Sequence, residues 1–327
     1  MEPRLSRSAA QNAPPSPLSK IQTSFAKGPR PIIVTGPTGA GKSALAAALA
    51  LHLGGEVVGA DAFQIYAGLP ILTAQASPEL RALVPHHLVG FLDLTQKFDA
   101  ARYAEEAWRC VEDIQSRDRV PILTGGTGLY LKALTHGLAE MPKPDDAIRA
   151  RIQSVPIAEA LAELAEKDPA APEAIDTRNP ARVRRALEIV LLTKKPLAES
   201  RRTWSEDRGQ FAGIVVTRDR DELRNRIAAN VDAMFASGVV EEVKAAQHAG
   251  EGASRAIGFR EILQFLQSEL TESACRAAMV QASQRYAKRQ LTWCRTQFNF
   301  PVLNLSGHPT PVDTLSAALG LLSTQSQ

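Results

Sequence analysis

Pro31-Ile-Ile-Val-Thr35, then Gly36-Pro-Thr-Gly-Ala-Gly41-Lys42-Ser43, then Ala44-Leu-Ala-Ala-Ala-Leu-Ala-Leu-His-Leu53 is the stretch that decides the fold. Its first part is a short apolar run bounded by a glycine-rich turn, the pattern of a buried strand, and its last part is an Ala/Leu-rich helix expected over Ser43 to Leu53. Between them Gly36, Pro37, Thr38, Gly39, Ala40, Gly41, Lys42 and Ser43 satisfy G-x-x-x-x-G-K-[ST] in the strand-then-helix context that gives the match meaning. Successive backbone N–H groups of such a loop surround phosphate oxygens, and the helix N-terminus adds its positive dipole end. Lys42 supplies a point charge, Thr38 a further donor, and the Ser43 hydroxyl is placed to ligate Mg²⁺.

Working outward, a second apolar run, Glu56-Val-Val-Gly-Ala60, ends on Asp61. A helix is expected over Ala100 to Ser116, where Tyr103, Ala107, Cys110, Val111 and Ile114 fall at helical spacing. Val120-Pro-Ile-Leu-Thr124 reads as another buried strand that runs into Gly125-Gly126-Thr127-Gly128. Strands alternating with helices predict an α/β fold: a parallel sheet of the P-loop NTPase type with helices on both faces. From Pro142 to Pro180 the chain is Ala/Glu/Arg-rich and punctuated by proline, with no strand until Phe211-Ala-Gly-Ile-Val-Val-Thr217. The expected division is a disordered tail over 1–29, a core domain over 30–140 and 208–306, a helical insertion over 141–207, and a flexible C-terminal tail over 307–327.

With 327 residues, 44% of them hydrophobic, the chain can bury a full α/β core and a smaller second unit. A formal net charge of only +3 means that nucleic-acid affinity must come from local clusters of Lys and Arg. Cys110, Cys275 and Cys294 are too dispersed for a disulfide framework or a zinc site, which fits a reducing, cytoplasmic setting. No apolar run approaches the roughly 18 to 20 residues of a membrane helix. The first 30 residues, rich in Ser, Pro and Arg, read as a solvated tail, with an organellar transit segment as the alternative.

A phosphate loop does not name a reaction. A nucleotide hydrolase normally ends a strand near the loop on an Asp that organises Mg²⁺ and water, yet here the strand ending at Leu123 continues into Thr124-Gly-Gly-Thr127. Asp61 is the only acid that the topology brings close to the loop. A small-molecule kinase whose helical insertion closes as a lid has the same outline, and a non-catalytic RNA-binding protein on an old nucleotide fold is a third reading.

Longer segments separate these readings. GPTGAGKSALA at 36–46, ADAFQIYAGL at 60–69, HHLVGFLD at 86–93, GGTGLYLKAL at 125–134 and NPARVRRALE at 179–188 together resemble the tRNA dimethylallyltransferase (isopentenyltransferase) family. Arg255-Ala-Ile-Gly-Phe-Arg260-Glu261 and Tyr286-Ala-Lys-Arg-Gln-Leu-Thr-Trp293 add to the likeness, which spans about residues 31 to 300. The chain departs from the family at Ala62, where a serine is usual, and at Pro70-Ile-Leu-Thr-Ala-Gln75, where the family reads D-I-G-T-A-K.

The resemblance implies transfer of a dimethylallyl group from dimethylallyl diphosphate to N6 of an adenosine beside the anticodon of tRNA, with Mg²⁺ as cofactor and no membrane partner. A monomer is expected. It implies catalytic roles for Asp61, which would orient the amine and take its proton, and for Lys42 and Thr38 at the departing diphosphate. It implies contact with the tRNA anticodon stem-loop at Asp61, Ala62, Phe63, Gln64, Thr127, Arg149, Ala181, Arg182, Val183, Arg184 and Arg185, and at Arg255 and Arg260 with either the RNA or the diphosphate. The adenine must leave its stack to react.

The residues themselves leave alternatives at several of these positions. Thr127 could simply form a turn. In the helix capped by Asn179-Pro180, Val183, Leu187, Val190 and Leu191 make one apolar stripe, which leaves Arg182 and Arg185 for tRNA while Arg184 could pair with Glu188 at i, i+4. Arg285, Lys288 and Arg289 share a face beside Tyr286, Gln290 and Trp293, an arrangement suited to RNA. His86 and His87 lack ligand-spaced companions and read as structural.

Overall fold

A computed structural model describes residues 28–137, 145–200 and 211–326. The tail expected over 1–29 therefore falls almost entirely outside the described residues. The chain divides into two compact units, one of Met1–Thr135 with Gly209–Gln327 and one of His136–Arg208.

The larger unit is built on a sheet of six parallel strands: β1 (Ile32–Thr35), β2 (Glu56–Gly59), β3 (His86–His87), β4 (Pro121–Gly125), β5 (Ala212–Thr217) and β6 (Val302–Asn304), in the order β3-β2-β4-β1-β5-β6. Every residue of β1, β4 and β5 is buried, as expected of central parallel strands covered on both faces. Strand β6 falls where the sequence showed no strand.

Alternation along the strands sends side chains into two cores. Ile32, Val34, Val57 and Ile122 pack with Leu45, Ala46 and Leu49 of helix α1 (Lys42–Leu53), whereas Ile33, Val58 and Leu123 pack with Tyr103, Ala107, Val111 and Ile114 of another helix, Ala100–Ser116. Each of the Ile, Val and Leu side chains among them contributes about 1.5–3 kcal/mol when fully buried. The helix at Ala100–Ser116 begins where the Asp99 carboxylate accepts from Ala101 N and Arg102 N, and its buried residues form the stripe that the spacing predicted. A third cluster brings Ile65, Tyr66, Leu69 and Leu72 against Val239, Val243, Phe259, Ile262 and Met279, so the segment after Asp61 is clamped by the helices that follow β5.

The expectation of a flexible tail over 307–327 is corrected. Pro311–Ser323 is a helix, started by Thr310, whose hydroxyl accepts from Asp313 N at 3.1 Å, with Pro311 in the first turn. Ala318, Leu319 and Leu322 are buried in the α1 core, and Arg30 Nη1 donates to Gln325 O at 2.5 Å. Burial of that apolar face, with a cap at its start, explains why the segment is ordered.

The smaller unit has its own core. Ile152, Ala160, Leu164, Val183, Leu187, Val190 and Leu197 pack together from the helices Asp146–Ser154, Ile157–Lys167, Pro180–Thr193 and Leu197–Ser200. The Asn179 side chain accepts from Ala181 N and Arg182 N, the cap that the sequence announced. Buried Asp168 accepts from Leu197 N at 2.7 Å and fastens the last short helix.

Candidate active site

A cavity of about 190 Å³ opens at the carboxyl ends of β1, β2 and β4, where open α/β sheets bind ligands. The phosphate loop forms one wall with Thr38, Gly39, Gly41, Lys42 and Ser43; Asp61 and Gln64 lie on another, and Thr124, Arg226 and Gln290 also line it. The structure thus brings Thr38, Lys42, Ser43, Asp61 and Gln64 together from two segments that were read separately.

The loop is shaped before any ligand arrives. Gly36 has φ of 144°, and a Cβ there would lie 2.1 Å from Val216 O, so only glycine lets the loop pass this close to β5. Lys42 Nζ donates to Pro37 O at 2.8 Å. Burial of its ammonium, opposed by the nearby Asp61 carboxylate, pushes the Lys42 pKa down to about 8. Arg226 Nε donates to Gly39 O at 2.9 Å and Arg218 Nε to Ala40 O at 3.1 Å, so two guanidinium groups from beyond β5 brace the loop.

Asp61 stands two residues beyond β2. Its Oδ1 accepts from Phe63 N at 2.9 Å and Gln64 N at 3.4 Å, which holds a turn, while Oδ2 has no hydrogen-bond partner among the described residues. The carboxylate both shapes its loop and keeps an oxygen for a ligand. Gln64 Nε2 donates to Thr73 O and Ala74 O, and Gln75 Nε2 returns to Gln64 O and Tyr66 O. Gln75, where the resemblance would place a lysine, is therefore a donor to two carbonyls that braces the Asp61 loop.

Thr127 Oγ1 accepts from Ala62 N at 2.9 Å. Thr127 does form the turn, its carbonyl accepting from Tyr130 N at 3.0 Å, and the turn packs closely on the long helix Glu272–Gln297, where a Cβ at Gly128 would lie 2.1 Å from the Trp293 ring. The same helix reaches the phosphate loop, where Gln290 Oε1 accepts from Thr38 N at 2.8 Å. At Gly126 a Cβ would lie 1.9 Å from Gln290 Nε2, so the glycine clears room for that contact.

Other expected residues lie elsewhere. The alternative pairing of Arg184 with Glu188 is not formed: buried Glu188 is held by Arg149 and Arg185, each at 2.7 Å, and the Arg184 Nε is buried without a hydrogen-bond partner among the described residues. On that helix Val183 is buried, whereas Arg182 and Ala181 are exposed. Arg255 pairs with Glu251 and Arg260 lies 3.8 Å from Glu261; both are mostly exposed, and neither lines the cavity. Ala62 and Phe63 are half-buried beside it. His87 Nε2 meets Glu56 at 2.7 Å and His86 Nδ1 meets Val84 O at 2.7 Å, each in a structural contact.

Arg218, Arg226, Thr124 and Gln290 were missed as site residues. Arg226 could have been noticed only as one basic position in an otherwise charged helix, because no motif sets it apart. Among the described residues no group of three or more His, Cys, Asp or Glu is arranged to hold a metal ion, and no helix is long and apolar enough to cross a membrane. The three cysteines are free thiols.

Comparisons with known proteins place the chain in a family. The family model for IPP transferase matches residues 64–297. The tRNA dimethylallyltransferase of Geobacter sulfurreducens is 41% identical over 295 residues, covering 87% of this chain and 94% of that protein. That of Sphingopyxis alaskensis is 42% identical over 273 residues, covering 81% and 89%. Among solved structures, the tRNA isopentenylpyrophosphate transferase of Bacillus halodurans superposes with a TM-score of 0.68 at 29% identity, covering 91% of this chain and 96% of that one. A eukaryotic dimethylallyltransferase acting on tRNA gives a TM-score of 0.76 at 25% identity, covering 89% and 77%. With a family model matched over most of its length and relatives at about 40% identity along nearly all of their own, the chain belongs to the IPP transferase family.

Proposed function

We propose that this protein transfers a dimethylallyl group from dimethylallyl diphosphate to N6 of an adenosine beside the anticodon of tRNA, and releases diphosphate. The observation that carries the reading is the single cavity with anion-binding groups on one wall and a carboxylate on another. The adenine N6 lone pair is delocalised into the ring and needs help from both sides. A bond forms from N6 to the allylic carbon, the carbon–oxygen bond breaks with its electron pair going to the diphosphate, and the N6 proton passes to Asp61. The free Oδ2 suits Asp61 to orient the amine and accept that proton.

Lys42, Thr38 and the loop amides meet the charge that builds on the leaving oxygen. The residues also fit a divalent cation: Ser43 presents a hydroxyl in the cavity, and Thr124, which also lines it, has a buried hydroxyl oxygen with no hydrogen-bond partner among the described residues. Mg²⁺, when bound, would neutralise part of the diphosphate charge. Asp61, Gln64 and the Thr127 turn form the base-side wall. Exposed Arg182 on the insertion and Arg285, Lys288 and Arg289 on the long helix are the basic groups for the anticodon stem-loop.

The test is to incubate the protein with Mg²⁺, tRNA lacking the modification and either dimethylallyl diphosphate or ATP, then digest the RNA and analyse the nucleosides by mass spectrometry. A prenylated adenosine that depends on the allylic diphosphate is expected. Phosphate transfer from ATP to a small acceptor, with no prenyl adduct, would overturn the reading in favour of a kinase.

A further inference from the structure

Thr124 differs from every other hydroxyl around the phosphate loop in one respect. Its Oγ1 is buried and has no hydrogen-bond partner among the described residues, although the residue, only 8% exposed, lines the cavity. Thr35, at the end of the neighbouring strand, is by contrast engaged through Oγ1 with Gly125 O at 3.0 Å. Thr127 is engaged with Ala62 N. The backbone of Thr124 is satisfied, since its carbonyl accepts from Ala60 N at 2.7 Å, so the orphaned group is the side chain alone. An unsatisfied buried hydroxyl costs free energy that a valine of the same shape would avoid.

The position of Thr124 explains what such a hydroxyl can serve. It pairs with Val34 of β1 and Gly59 of β2, and it shares a sheet face with Ile122, which packs against α1. Thr124 therefore lies at the carboxyl end of the strand beside β1, on the side of the helix whose first turn carries Ser43. In phosphate-loop NTPases an acid near the loop helps Ser/Thr hold Mg²⁺. A threonine there can accept a hydrogen bond from a cation-bound water, yet it is too weak a base to take that water's proton. For a transferase this distinction is useful, because an activated water would compete with adenine for the donor.

We infer that the Thr124 hydroxyl anchors a water in the shell of the divalent cation held at Ser43, and so acts as a positioning residue for the cation–diphosphate pair. The inference rests on the functional reading above. The test titrates inorganic diphosphate into the wild type, Thr124→Val and Thr124→Ser by calorimetry, once with Mg²⁺ and once with a chelator, and follows thermal unfolding of each protein. Thr124→Val is expected to weaken binding in Mg²⁺ by about fivefold, the effect of one lost hydrogen bond. Without the metal it should match the wild type, unfold no earlier, and be rescued by Thr124→Ser.

Equal affinity of Thr124→Val and wild type in Mg²⁺ would overturn the inference and leave the functional reading intact. An equal loss with and without Mg²⁺ would overturn it in favour of direct contact with the diphosphate. Failure of the wild type to bind diphosphate in Mg²⁺ would overturn the functional reading itself, and this inference with it.

Discussion

Two charged sites on the same sheet are built on opposite plans. At the amino end of β2, buried Glu56 is surrounded by partners: Arg117 is bonded to both of its oxygens, His87 lies at 2.7 Å, and Arg119 at 3.5 Å. Arg117 is shared with Asp113 at 2.7 Å. Those contacts, Arg117 first and His87 after, hold the Glu56 carboxyl down at about 2 against the opposing effect of burial. At the carboxyl ends of the strands the reverse holds. Lys42 is pushed down to about 8 by burial of its charge, and among the described residues Asp61 Oδ2 and Thr124 Oγ1 have no hydrogen-bond partner. The saturated end contributes stability; the unsaturated end keeps its polar groups for a ligand.

The contrast can be broken most forcefully at Asp61. Replacing it with Asn should lower the single-turnover rate by about 10² to 10⁴, the range that loss of a general base gives. A rate within a few-fold of wild type would remove Asp61 from proton transfer.

At the other end, Glu56→Ala should cost about 2 kcal/mol in denaturant unfolding and leave donor binding unchanged below the melting point. Loss of activity without loss of stability would show that the two ends are not separate. The sign with pH follows from the depressed carboxyl: the Glu56 contribution is present above its ordinary value of 4.5 and is lost as pH falls toward about 2. Acid unfolding of Glu56→Ala should show a correspondingly shallower dependence in that interval.

Lys42 titrates in the opposite sense. Its protonated form attracts the donor, so donor affinity should fall as pH rises above about 8, by no more than about tenfold per pH unit. A flat profile from pH 7.5 to 9.5 would mean that Lys42 does not carry the charge that holds the diphosphate.

The smallest effect is expected on the insertion. Arg182→Ala should reduce the slope of log affinity for tRNA against log salt by about 0.7 to 0.9, one phosphate contact, with donor affinity unchanged. Arg185, already committed to buried Glu188, should instead affect stability. An unchanged slope for Arg182→Ala would move the RNA surface away from this helix.

The saturated and unsaturated ends also differ in how well the sequence exposes them. The phosphate loop, its strand and its helix are contiguous, so local spacing was enough to read them. Asp61 emerged because it directly follows a strand and sits in a segment resembling the family. Gln290, Arg226 and Thr124 were not legible as site residues, because what they touch depends on helices and strands far along the chain converging on the loop. Their distinguishing properties, a loop amide accepted by Gln290 and a hydroxyl left without a partner at Thr124, exist only in three dimensions. The helix at Pro311–Ser323 did carry a signal: Thr310, Pro311 and the spaced Leu315, Leu319 and Leu322 mark a capped amphipathic helix. Its Ser, Thr and Gly content obscured that pattern.

The division of labour within the cavity is tested most directly by titrating inorganic diphosphate with Mg²⁺ into wild type, Lys42→Met and Asp61→Asn under identical conditions. The account predicts that Lys42→Met loses most of the affinity and that Asp61→Asn keeps it, since Asp61 serves the adenine and not the leaving group. Equal losses in both variants, or full affinity in Lys42→Met, would contradict it.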